Sequence, residues 1–160
     1  MAGQPSKNFM DGRPPKLIFS KSKQSYILAQ IKQWIANNLP PNTALYEKRI
    51  FGSLAKGTFG KYQTEFKGRK FSDVDILFVV DDDFSPPKEW KVHFECVKDV
   101  WVVYDVAIVP IDTEDETVFV EVQYIILKKT YSENIKTITE AEKWGIPLMK
   151  SDTKNKYISL

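Results

Sequence analysis

The segment FGSLAKGTFGKYQTEFKGRKFSDVDILFVV, residues 51–80, carries most of the information about the fold and the site. Residues 44–51 lead into it and predict a strand that ends at Gly52-Ser53. At the other end, residues 73–80 predict a second strand, which is apolar on both faces in its second half and therefore central in a sheet. The glycines and five basic residues between the two strands predict a loop that opens with one helical turn.

The sequence before this segment predicts an arm and a helix. Residues 1–20 are rich in Pro, Lys, Gly and Ser and have no apolar period, which predicts a flexible basic arm. In residues 22–38 apolar side chains recur at helical spacing, and Pro40-Pro41 prevents continuation. We therefore expect an amphipathic helix with Ser22 or Ser25 as its N-terminal cap.

The sequence after this segment alternates between apolar and turn-forming stretches. Residues 90–98 fit a helix or an alternating strand, and we favour the helix because it would supply a crossover between strands. Residues 100–109 are β-branched and aromatic and predict a strand that stops at Pro110. Residues 112–116 predict an acidic turn, and residues 118–127 are an apolar run that fits either kind of element.

The C-terminal part completes the predicted architecture. Residues 134–143 predict a helix that ends at Gly145, and residues 146–149 predict a short edge strand. No linker divides the chain, so we expect one domain over residues 21–160. The expected fold class is α+β (mixed α/β), a small mixed sheet with helices packed on it.

Composition and charge narrow the function classes. A chain of 160 residues with 42% hydrophobic and 28% charged residues is typical of a globular protein, and its apolar runs are too short to cross a membrane. A single cysteine, Cys96, and a start without the apolar run of a secretory signal favour the cytoplasm. Residues 1–72 carry 13 Lys/Arg against 3 Asp/Glu, whereas residues 73–131 carry 5 against 14. This asymmetry suggests that one half meets an anion and the other holds a cation.

The basic half contains the residues of a phosphate site. Gly52 allows the backbone to approach a bulky anion, Ser53 offers an amide and a hydroxyl, and Lys56 offers a positive charge. We therefore predict that these three residues form a cradle for phosphate.

The acidic half contains the residues of a metal site. Asp73 and Asp75 are two apart on a strand and share a face, so their carboxylates repel unless a cation lies between them. Asp105, inside a later strand, could complete a three-carboxylate site if the two strands are neighbours, and Glu121 is the next candidate for that role. Oxygen ligands of this kind suit Mg²⁺ or Mn²⁺.

The runs FGSLAKGT, SDVDILFVV and YDVAIV together resemble the nucleotidyltransferase superfamily of the DNA polymerase beta type. The resemblance covers residues 50–109, and the chain length is similar to that of the minimal, single-domain members. The gap from Ser53 to Asp73 is 19 residues, longer than is usual in that family, which indicates an insertion around residues 60–70. With its basic residues and interleaved aromatics, the insertion could contact substrate phosphates or could be a mobile, solvated loop, and the second interpretation is favoured.

The resemblance implies a polymerase-beta-type fold, a reaction and a role for each site residue. Asp73, Asp75 and Asp105 would bind two metal ions, and Asp105 would also accept the proton of the acceptor hydroxyl. Gly52 and Ser53 would hold the β and γ phosphates of a nucleoside triphosphate, with ATP the expected nucleotide. The reaction would transfer a nucleoside monophosphate to a hydroxyl and release pyrophosphate.

The acceptor and the partners stay open at the level of sequence. A protein hydroxyl, a small molecule and an RNA end are all possible acceptors, and a protein is the first choice by analogy with the family. The resemblance also implies a helical partner protein, while a nucleic acid partner is not favoured because no second domain is expected to grip it. The alternative is a module on the same scaffold that binds a nucleotide or a partner without catalysis.

Overall fold

The computed structural model describes residues 14–92, 100–130 and 157–160, and half of these residues lie in strands. The elements in chain order are β1 (Lys16–Ile18), α1 (Lys21–Ala36), β2 (Leu45–Phe51), α2 (Ser53–Lys56), β3 (Gly60–Phe66), β4 (Arg69–Phe71), β5 (Val74–Val80), β6 (Lys91–Val92), β7 (Val100–Asp112), β8 (Thr117–Lys128) and β9 (Tyr157–Ser159).

These strands form two sheets. The larger one has six strands in the order β6-β7-β8-β5-β2-β9, and the smaller one has three in the order β1-β3-β4. In the larger sheet β5 and β8 run parallel, while the other neighbouring strands run antiparallel. The chain passes through β6 and β7 between β5 and β8, so this parallel connection is made partly of strand.

The expected α+β architecture of the polymerase-beta type is wrong. The described residues form mostly sheet, with two helices, of which α2 is a single turn. Two sequence stretches account for the difference. The segment interpreted as a loop, around residues 60–70, folds as β3 and β4, and residues 118–127 form the long strand β8. The helix favoured over residues 90–98 begins instead with the two-residue strand β6, and residues 93–99 lie outside the described part.

The predicted amphipathic helix is confirmed as α1, and it covers one face of the larger sheet. Ile27, Ile31 and Ile35 are buried in the main core, because their spacing places them on one side of the helix. The predicted caps are wrong, because Ser20, two residues before Ser22, caps the helix with a side chain that accepts a hydrogen bond from the Lys23 amide. Val74, Ile76 and Phe78 of β5 belong to the same core, which leaves the intervening residues of β5 on the opposite face.

Residues 60–71 form a packed hairpin rather than the mobile loop that was favoured. Lys67 and Gly68 both have positive φ, 52° and 77°, as expected of a two-residue type I′ turn. The aromatic residues Tyr62, Phe66 and Phe71 are buried. The strand β1 pairs with β3, so the predicted arm over residues 1–20 contains a strand at its end, while residues 1–13 lie outside the described part.

The strand β7 continues through Pro110 and does not stop there as predicted. Proline has no amide hydrogen to donate, so it is tolerated where one side of a strand has no partner. On one side Pro110 pairs with Phe119 of β8. On the other side, within the described part, β6 borders β7 only near Val103 and Tyr104, so no hydrogen bond from Pro110 is needed. The helix and strand predicted over residues 134–143 and 146–149 lie outside the described residues. None of the helices that the structure describes is long and apolar enough to cross a membrane.

Candidate active site

The parallel pairing of β5 with β8 brings three carboxylates to one face of the sheet. Val74 is in register with Val122, and Asp75 with Gln123, so Asp73 lies level with Glu121. Partnered residues of neighbouring strands share a face, and Asp73, Asp75 and Glu121 therefore lie opposite the face that packs on α1. The sequence placed Glu121 second to Asp105, because nothing in it shows which later strand is the neighbour of β5.

Arg69 of the β3–β4 hairpin reaches into this cluster. Its Nη1 atom lies 2.7 Å from Oδ2 of Asp73, and its Nε lies 3.7 Å from Oε2 of Glu121. The Arg69 side chain is mostly buried, with 18% exposed, and it lies near the ring of Phe66. No sequence pattern distinguishes Arg69 from the other basic residues of the hairpin.

The cluster holds more negative charge than its cations neutralise. Burial raises the pKa of Asp75 to about 7, the charge of Asp73 adds to the rise, and Arg69 and Lys56 oppose it. Burial also raises the pKa of Glu121, and Asp73 and Asp105 add to that rise while Arg69 opposes it. A further cation at this face would relieve the repulsion.

The donor chemistry fits Mg²⁺ or Mn²⁺, although the cluster holds Arg69 instead. Both metals prefer carboxylate oxygens. Among the described residues no group of three or more Asp, Glu, His or Cys side chains is arranged to hold a metal ion. Because the guanidinium of Arg69 contacts Asp73 and approaches Glu121, its displacement would free both carboxylates.

The predicted phosphate residues lie beside the carboxylates. Gly52 has φ 88°, a conformation that favours glycine, and a Cβ built on it would lie 3.3 Å from Oδ2 of Asp75. Ser53 begins α2, and the amides of Gly57 and Thr58 bond to its carbonyl oxygen. Lys56 is exposed, yet it is close enough to lower the pKa of Asp75. The structure thus brings Gly52 and Lys56 close to Asp75.

Asp105 is not brought to that pair by strand pairing. The strand β8 lies between β5 and β7, so the condition under which Asp105 would join Asp73 and Asp75 is not met. The ladder of β7 and β8 is irregular between Val103 and Ala107, and Asp105 sits in this bulge with φ 54°. Its half-exposed carboxylate pairs with Lys91 at 3.2 Å.

An open cleft adjoins the carboxylates on the side of the hairpin. Its volume is about 420 Å³, and its lining includes Arg69, Lys70 and Glu121. The exposed side chains of Ile108 and Phe119 form an apolar part of its wall. The cleft gives a ligand of moderate size access to Glu121.

Comparisons of this chain with protein-family models, with curated proteins and with solved structures found no match. The assignment of a function therefore depends on the residues and the geometry of this site.

Proposed function

We propose that the protein transfers a nucleoside monophosphate from a nucleoside triphosphate to an acceptor hydroxyl and releases pyrophosphate. One observation carries the proposal: the register of β5 and β8 gathers Asp73, Asp75 and Glu121 on one face, beside Gly52. The resemblance of residues 50–109 to nucleotidyltransferases adds support at the level of sequence motifs.

Each of the three carboxylates has a role in this reaction. Asp73 and Asp75 would hold Mg²⁺ or Mn²⁺, which neutralises phosphate charge and lowers the pKa of the acceptor hydroxyl. Glu121, rather than Asp105, would accept the proton of that hydroxyl, because it shares the face and borders the cleft. The hydroxyl oxygen forms a bond to the α phosphorus as the bond to pyrophosphate breaks.

The residues around Gly52 would hold the triphosphate. Gly52 has no side chain to block an anion next to Asp75, and Lys56 supplies a positive charge at the same place. The hydroxyl and amide of Ser53 are close in sequence to both. ATP is the nucleotide that we expect, and the acceptor that we expect is a protein hydroxyl, with a helical partner protein as a candidate.

The second candidate function is binding without catalysis, of a nucleotide or of a partner. It is favoured by Arg69, which already neutralises Asp73 and approaches Glu121 without a metal ion. Under this alternative the protein binds a triphosphate and labels nothing.

The experiment compares two positions of a radioactive label. The protein is incubated with Mg²⁺, cell lysate and each triphosphate labelled either on the α or on the γ phosphate. Nucleotidyl transfer predicts a labelled acceptor with the α label alone, since the γ phosphate leaves in pyrophosphate. Labelling from the γ position would instead indicate phosphoryl transfer and would contradict the proposal.

A matched pair of variants places the reaction at the site. Asp73→Asn removes one charge from the cluster, whereas Asp83→Asn removes the same charge from an exposed turn. We expect the first variant to abolish labelling and the second to leave it unchanged. Triphosphate binding without labelling in the parent protein would favour the binding module.

A further inference from the structure

Arg69 occupies the place in the carboxylate cluster where a metal ion would be needed. It lies 2.7 Å from Asp73 and 3.7 Å from Glu121, and it comes from a hairpin that the strands β5 and β8 do not require for their own pairing. We propose that Arg69 is an internal counter-ion that competes with the metal and sets the metal affinity of the site. This inference rests on the proposed function, because it takes the cluster to be a metal site.

The competition follows from charge and geometry. One guanidinium carries a single positive charge, and it faces three carboxylates. A divalent ion neutralises more of that charge, but it reaches Asp73 only when Arg69 leaves. The stability of the Arg69–Asp73 contact therefore lowers the affinity of the site for the metal ion.

The fold allows Arg69 to move without disturbing the larger sheet. Arg69 begins β4, directly after the turn at Lys67 and Gly68, so it belongs to the smaller sheet. It also lines the cleft beside Glu121, and the guanidinium has open space there once Asp73 binds metal. Ser72 anchors the other end of β4, because its hydroxyl accepts a hydrogen bond from the Gly60 amide.

The test measures the affinity for Mn²⁺ in the parent protein, Arg69→Gln and Lys67→Gln. The second variant is the control, because it removes the same charge from the turn of the same hairpin, where the Lys67 side chain is exposed. Removal of the ion pair between Arg69 and Asp73 leaves the carboxylate without its internal counter-ion, so Arg69→Gln should bind Mn²⁺ about tenfold or more tightly. Lys67→Gln should bind it as the parent does.

Arg69→Lys provides a second test in case Arg69→Gln disturbs the structure of the hairpin. It keeps the charge but not the planar guanidinium, and we expect an affinity between those of the parent and Arg69→Gln. Nuclear magnetic resonance gives an independent reading in the parent protein. The Arg69 Nε–H signal should shift as Mg²⁺ is added, because the side chain leaves Asp73.

The outcomes separate this inference from the proposed function. Equal or weaker Mn²⁺ binding by both Arg69 variants would overturn the competition and would leave the transfer reaction unaffected. Tighter binding by Arg69→Gln, without labelling of any acceptor, would support the competition and refute the transferase. No Mn²⁺ binding by any form would overturn both.

Discussion

Two groups of acidic residues in this molecule have pKa values shifted in opposite directions. The cluster of Asp73, Asp75 and Glu121 is partly buried, and the pKa values of Asp75 and Glu121 are raised. In the turn between β7 and β8, hydrogen bonds from Lys23 lower the pKa values of Asp115 and Glu116. The comparison teaches that the number of acidic residues in a group does not decide their pKa values, whereas burial and hydrogen bonds from cations do.

Two lysines form ion pairs with the acidic residues of the turn. The Lys23 Nζ lies 2.9 Å from oxygens of both Asp115 and Glu116, and Lys61 lies 3.0 Å from Glu116. These lysines come from α1 and β3, so the turn connects both elements to the long hairpin of β7 and β8. We therefore assign the turn a structural role, whereas the chemical role that we propose belongs to the partly buried cluster.

The largest expected effect separates Glu121 from Asp105. Glu121→Gln should slow label transfer by about 10²–10⁴-fold, since a positioned base contributes that much. Asp105→Asn should retain transfer, because Asp105 is half-exposed and pairs with Lys91. Rates come from gels and nucleotide affinity from calorimetry. Loss of transfer in Asp105→Asn with full activity in Glu121→Gln would return Asp105 to the mechanism.

The next effect concerns stability against pH. Asp75 has a folded pKa of about 7 and an unfolded value near 4, so the folded state binds the proton more tightly. Its contribution is complete below about pH 4 and is lost as the pH rises to about 7. Because burial disfavours the ionised carboxylate and Asp73 repels it, with Arg69 and Lys56 opposing both effects, the free energy of unfolding should fall by an amount on the order of a few kcal/mol over this range.

Asp75→Asn is the check on that prediction. An amide cannot ionise, so the variant should lose most of the pH dependence between about pH 4 and 7 and be more stable than the parent above it. Urea unfolding at each pH measures the difference. Parallel pH profiles for the parent and the variant would show that Asp75 ionises normally.

Ligand binding should produce a smaller gain in stability. A ligand that binds the folded state alone, at a hundredfold excess over its Kd, adds about 2.7 kcal/mol. Mg²⁺ with ATP should therefore raise the Tm of the parent and of Glu116→Ala, which changes the other acidic group. Asp73→Ala should show no such rise. An equal rise in all three proteins would move the binding site away from the cluster.

The sequence predicted the parts of the molecule that depend on local pattern. The apolar spacing of Ile27, Ile31 and Ile35 gave α1, and the paired aspartates before an apolar run gave β5. The approach of Gly52 to Asp75 follows from the antiparallel pairing of β2 with β5, in which Phe51 faces Asp75. Because β2 and β5 are consecutive in the larger sheet and pair directly, the relative positions of Gly52 and Asp75 could be predicted from the sequence.

The rest depended on long-range pairing that no local pattern reveals. Asp105 and Glu121 both lie in β-branched runs, and only the strand order decides which of them shares a face with Asp75. The hairpin of β3 and β4 had a readable signal, Lys67-Gly68 between strand-like residues, but its glycines and lysines favoured a loop. Residues 60–70, interpreted as a loop, and residues 118–127, which fit either kind of element, are both strand, and this is why the described residues form mostly sheet instead of the expected α+β fold.

The smallest expected effect is at the acidic turn. Glu116→Gln weakens the partly exposed ion pairs with Lys23 and Lys61, and ion pairs near the protein surface contribute at most about 1 kcal/mol. The pKa of Glu116 is lowered in the folded state, so its contribution is present near neutral pH and is lost as the pH falls below about 4. Urea unfolding at pH 7 and pH 3 should show a small difference between parent and variant at the first pH and a smaller one at the second. High salt should also remove the difference at pH 7, because it screens exposed charges. A loss of several kcal/mol that persists in salt would mean that the turn is a buried electrostatic centre, and the contrast with the cluster around Asp75 would fail.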